Sequence, residues 1–149
     1  MPDSVPLRPS ADDVVRRAVA LSRVEKEQLI SVAGPGGLGA MISLCREGFE
    51  RVECARQATC AGADEACELL LVVGRMDAST LMETVVRTAR LLRDGGELAC
   101  ELASAADELV VRRALARAGF EARLPLVDAT GRLALFTVAR AASQARLAG

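Results

Sequence analysis

One stretch, Gln28 to Glu47 (QLISVAGPGGLGAMISLCRE), constrains the fold more than any other. An apolar run (Leu29, Ile30, Val32) meets a glycine cluster (Gly34, Gly36, Gly37, Gly39), and an amphipathic run (Leu38, Met41, Ile42, Leu44, Cys45) follows at once. This order predicts strand, tight turn and helix. Glycines let the backbone turn sharply and leave bare N–H groups facing outward, and the positive end of the following helix points at the same corner. Such a corner suits a phosphate, or the carboxylate and ribose of a nucleoside cofactor. It suits a plain strand-to-helix turn equally well, because a lone glycine motif has little specificity.

The 149 residues fit one domain with a real core. Aromatic residues make up only 2%, all of them Phe (Phe49, Phe120, Phe136), so the core must be Leu, Val and Ala. Without Trp or Tyr, base stacking would rest on Phe alone, and the net charge of −1 supplies no basic surface. Both facts argue against nucleic acid as a partner. The chain has no His, which removes the commonest general base and metal ligand and excludes Ser–His or Cys–His catalysis within it. The longest apolar run is far short of a bilayer span, and MPDSVPLRPS has no apolar signal core, so a cytoplasmic protein without a membrane segment is expected. Five cysteines (45, 54, 60, 67, 100) lack a close C-x2-C pair. No metal is expected, and buried thiols in an Ala-rich core are the simplest reading.

Along the chain, residues 1–10 read as a flexible lead-in, 11–140 as a single domain and 141–149 as a tail. An amphipathic helix is expected over about Ala11–Val24, with a capping signal at Ser10 and Asp13. Strand and helix follow at about 28–33 and 37–48, then a second strand over 50–55. Its acid, Glu53, falls 19 positions after Gly34, the interval at which a nucleotide-binding unit places a ribose-binding carboxylate. A solvated strand-end carboxylate is the plainer reading of the same residue. Residues 56–67 suffice for one crossover at most. ELLLVVG (Glu68–Gly74) reads as a central strand covered on both faces. A helix is expected from Ser79–Thr80 to Gly95–Gly96, a strand over Glu97–Glu101, and a helix over Ala105–Ala118 capped by Ser104 and Asp107. Two strands then flank the turn at residues 128–131, antiparallel because the connection is short, with Pro125 marking an edge. Arg75 could hold a carboxylate or phosphate, though an exposed Arg is the commoner case. Asp77 reads as a helix N-terminal carboxylate.

Alternating strands and helices ending in an antiparallel pair resemble the class I S-adenosylmethionine-dependent methyltransferase fold. ELLLVVG looks like the family's fourth strand. LLRDGGEL (Leu91–Leu98) is similar to the segment before its fifth, ARAGFEARL (Ala116–Leu124) to the start of its sixth, and RLALFTVARA (Arg132–Ala141) to its last. The glycine loop matches loosely, with Val32 where the family carries an acid. The resemblance implies an α/β fold: a three-layer Rossmann-like sandwich with a mostly parallel sheet and a C-terminal antiparallel hairpin. The third strand/helix unit is reduced or missing, because Ala55–Glu68 leaves no room for it. The resemblance further implies S-adenosylmethionine over Gly34, Gly36, Gly37, Gly39 and Glu53, with Arg75 beside them. Gly74–Asp77 lacks the Asn-Pro-Pro-Tyr type signature of amino-methylating members. The shortening resembles that of members which no longer bind the cofactor, such as the N-terminal domain of anamorsin. The glycine loop is also similar to that of the nucleotide-binding domain of zinc-type alcohol dehydrogenases, but neither catalytic domain nor zinc ligands accompany it. Two functions therefore stand: a degenerate interaction module that binds a protein partner or a second copy, or a small active methyltransferase.

Overall fold

The computed structural model describes residues 11–55, 66–103, 105–127 and 133–139. Helices α1 (Ala11–Ser22), α2 (Gly37–Arg46), α3 (Ala78–Thr88) and α4 (Glu108–Arg117) accompany six strands. The strands are β1 (Leu29–Ala33), β2 (Arg51–Cys54), β3 (Cys67–Val72), β4 (Leu92–Leu102), β5 (Phe120–Val127) and β6 (Leu133–Ala139). They form one sheet in the order β2-β1-β3-β4-β6-β5. β2, β1, β3 and β4 run parallel, and β6 lies antiparallel between β4 and β5. Pro125 lies on β5, the last strand of the sheet, where a missing N–H costs no ladder bond between two neighbours.

The parallel strands carry the core because both their faces are covered. β1 is buried at every position, and β3 at all but the half-buried Glu68. Alternate residues serve opposite layers. Ile30, Val32, Leu69, Leu71 and Ala99 pack with Val14, Val15 and Ala18 of α1 and Ala40 and Leu44 of α2. Leu29, Ala33, Leu70, Val72, Leu98 and Cys100 pack with Leu81 and Val85 of α3 and Val111 and Leu115 of α4. The result is three layers, helices on both faces of one sheet. Phe49 enters the first layer just ahead of β2, with the Lys26 ammonium 4.2 Å from its ring centroid.

Two boundaries differ from expectation. α3 stops at Thr88, and a 3₁₀ turn, Ala89–Leu91, leads straight into β4. The hydroxyls of Thr84 and Thr88 bond back to the carbonyls four residues earlier, at 2.9 and 2.7 Å, which weakens a helix interior. Leu92, which continues the helical apolar period, is instead buried as a strand residue opposite Cys67. Between Cys67 and Leu69 the β4 partner jumps from Leu92 to Glu97, and Gly95 takes a positive φ of 78° within that irregularity. Gly95–Gly96 thus bend a strand rather than end a helix. The second difference is at α4, where Ala105–Asp107 form a 3₁₀ turn and Asp107 makes no side-chain cap bond.

α3 begins as expected of Asp77, whose carboxylate accepts the Thr80 N–H at 2.7 Å. That bond holds the Asp77 carboxyl below its ordinary value of 3.8. A lowered folded-state value makes the bond stabilising above the unfolded value, and that contribution is lost as pH falls through the lowered one. Asp77→Ala is therefore expected to lower Tm at neutral pH and to flatten the acid limb of a stability–pH curve below 3.8, as followed by circular dichroism. An acid limb identical to that of the unaltered chain would contradict the cap.

The cysteines divide. Cys67 and Cys100 are buried as expected, Cys54 is half-buried, and Cys45 is exposed on α2, which corrects the simple core reading. Burial pushes the Cys100 thiol up to about 12. Cys60, Ser10, Ser104, the turn at 128–131, most of the crossover after Ala55 and both expected tails lie outside the described residues. Among the described residues, no helix is long and apolar enough to cross a membrane, and no three His, Cys, Asp or Glu side chains gather to hold a metal.

Candidate cofactor site

The chain leaves β1 for β2 on one side and returns past β1 to β3 on the other. In open α/β sheets the crevice at the carboxyl ends of two such strands is the usual ligand position. Here it is formed by the turn after β1 and the loop after β3.

Gly34 turns the chain out of β1 with φ +91°, and Gly36 is the N-cap of α2. Gly37 N–H donates to the Gly34 carbonyl at 3.0 Å, closing the turn. On the other side Gly74 turns the chain out of β3 with φ +111°. The two turns touch. Gly36 N–H donates to the Val73 carbonyl at 2.9 Å. A Cβ on Gly34 would lie 2.4 Å from that carbonyl oxygen and 2.9 Å from the Met76 methyl. A Cβ on Gly74 would lie 2.6 Å from Gly36 N and 3.0 Å from Pro35 Cδ. Glycine is needed at Gly34 and Gly74 both for the positive φ and for this approach.

The six sequence-predicted residues do not all converge. Gly34, Gly36 and Gly37 share the corner. Gly37 is buried, with its Cβ direction toward Cys54 Sγ at 3.6 Å. Gly39 is the third residue of α2, exposed, with nothing within 4 Å of a built Cβ. Glu53 is exposed on β2, in register with Ser31, on the β1 side of the crevice. Its charge adds to the burial that raises the Cys67 thiol, while hydrogen bonds with Ser31 oppose the rise. Arg75 is exposed on the β3 side, beyond Gly74. α2 starts with no side-chain cap and no acid in its first turn, which leaves the dipole at its N-terminus unneutralised by its own residues.

Sequence reasoning missed Glu101. It is 4% exposed near the carboxyl end of β4, and its Oε1 accepts the Gly74 N–H at 3.0 Å. The signal was present in ELACEL: Leu98, Cys100 and Leu102 alternate toward one face, which places an acid on the other face, beside Ala99.

Solved structures resemble this architecture. The ribosomal protein L11 methylase from Lactobacillus delbrueckii subsp. bulgaricus superposes with TM-score 0.61 at 13% identity, over 87% of this chain and 77% of that one. Precorrin-6y C5,15-methyltransferase from Geobacter metallireducens GS-15 gives 0.59 at 10% identity, over 93% and 94%. A candidate tRNA (m1A22) methyltransferase from Streptococcus pneumoniae, solved with S-adenosyl-L-methionine, gives 0.57 at 12% identity, over 85% and 73%. This is the class I methyltransferase fold. No family model matches the chain, and no curated protein matches it, so the likeness lies in the fold alone. Within the methyltransferase fold, β2 of this chain is the outermost strand, and among the described residues no strand pairs beyond it. The segment in which the third strand/helix unit is expected to be reduced or missing, between the second strand and ELLLVVG, lies mostly outside the described residues.

Proposed function

We propose that this chain is an atypical, degenerate member of the methyltransferase fold that binds S-adenosylmethionine weakly or not at all and acts as an interaction or regulatory module. One observation carries this reading. The Cβ directions at Gly34, Gly36 and Gly74 meet neighbouring backbone, not open space. Those glycines make room for the chain itself, so the residues at the heart of the corner do not fit a cofactor pressed against them. The Val73 carbonyl and the Gly74 N–H, two groups a ligand would use, already bond to Gly36 and Glu101. The exposed Leu38 and Ile42, one turn apart on α2, and the edge of β2 that pairs with no strand among the described residues are surfaces that a protein partner or second copy would cover.

Calorimetric titration with S-adenosylmethionine and S-adenosylhomocysteine tests the proposal. Silence, or affinity no better than about millimolar, is the expected result. Micromolar binding abolished by Gly36→Val would overturn it. That result would favour a small active methyltransferase instead, the reading supported by the uncapped start of α2 and the open position at Gly39. In that case the chain would supply alignment of the methyl group with its acceptor, which demands little acid–base chemistry.

A further inference from the structure

Resting on the reading that the two glycine turns fill the corner with their own backbone, we propose that Glu101 is the positioning residue that latches the turns together. The Glu101 carboxylate is buried and accepts the Gly74 N–H at 3.0 Å. Gly74 is the residue whose backbone lies against Gly36 and Pro35. Gly36 in turn donates to Val73, the residue before Gly74. The bonds therefore run in one chain from β4 through the β3 loop to the glycine turn after β1. A buried carboxylate oxygen is a strong acceptor for a backbone N–H, and its removal leaves the half-buried Gly74 N–H without that partner. Opening the β3 loop to water is the direct way to satisfy it. Glu101 thus sets the balance between turns packed against each other and turns parted for a nucleoside ligand.

Native-state hydrogen exchange on the full chain, read residue by residue by NMR, tests the latch. In Glu101→Ala the Gly74 and Gly36 amides are expected to exchange about tenfold faster or more, while Leu70 and Leu71 keep their protection. Glu101→Gln, which keeps an acceptor oxygen in place, is expected to exchange like the unaltered chain. Unchanged Gly74 and Gly36 rates in folded Glu101→Ala, or a Gln variant as fast as the Ala variant, would overturn the latch. If Glu101→Ala does not fold, the unaltered chain answers alone: scalar coupling across the bonds from Gly74 N to the Glu101 carboxylate carbon and from Gly36 N to the Val73 carbonyl carbon is expected, and its absence overturns the proposal. Gating is read separately, by titration with S-adenosylhomocysteine. Affinity about threefold tighter or more in Glu101→Ala supports it, and equal affinity, or silence in both chains, overturns it. Micromolar binding by the unaltered chain would sink the functional reading above while leaving the exchange result to judge the latch.

Discussion

Gly34→Ala is expected to destabilise the chain by about 3 kcal/mol, from a strained positive φ and an overpacked contact together. The added methyl would sit 2.4 Å from the Val73 carbonyl oxygen at a residue with φ +91°. Neither fault has a cheap remedy. The carbonyl is held by the end of β3 and already accepts the Gly36 N–H, so moving it breaks that bond too. Gly39→Ala is expected to act in the opposite direction, stabilising by about 0.5–1 kcal/mol, because Gly39 lies in α2 with nothing within 4 Å and alanine is the better helix former. Urea denaturation of the two variants separates roles that one glycine motif conceals. Equal and small effects at both positions would mean that the two turns do not touch as described.

Leu71→Ala is expected to cost about 3 kcal/mol, within the 2–5 typical of a fully buried leucine. Leu71 is fully buried on β3, between β1 and β4, and packs in the layer that holds Val15, Ala18 and Leu44. A core of Leu, Val and Ala offers few large neighbours able to swing into the cavity. Against a typical domain stability of about 5–15 kcal/mol the loss is large. Leu38→Ala on the exposed face of α2 should stay within about 0.5 kcal/mol. The denaturation midpoint of Leu71→Ala should fall with an unchanged slope. A loss under about 1 kcal/mol would contradict a β3 covered on both faces.

Much of the fold was legible because short-range patterns and layer packing agree. ELLLVVG is an unbroken apolar run, and β3 is indeed buried toward both helix layers. The alternation at Phe49–Cys54 yields a half-covered strand, and its place at the sheet edge explains why half its residues are exposed. Where the sequence misled, one pattern served two structures. Leu81, Val85 and Leu92 suit a single long helix, yet Leu92 belongs to β4, because the apolar contact it needs is opposite Cys67.

The candidate site was legible only in outline. Gly34, Gly36 and Gly37 announced a tight turn, and the strand order confirms that the turn lies at the switch in sheet topology. Spacing placed Glu53 on the strand beside it. Periodicity along one segment cannot report which other segment fills the space beside a glycine, and that was the deciding fact.

The sequence by itself determined the layered α/β architecture, the central place of β3 and the sharp corner after β1. Those follow from hydrophobic period and from the backbone freedom of glycine, both local properties of the chain. Only the tertiary structure decided what the corner faces. Val73, Gly74 and Glu101 reach it from β3 and β4, 37 or more positions beyond Gly36, and hydrogen-bond geometry between such distant segments exists only once the sheet has assembled.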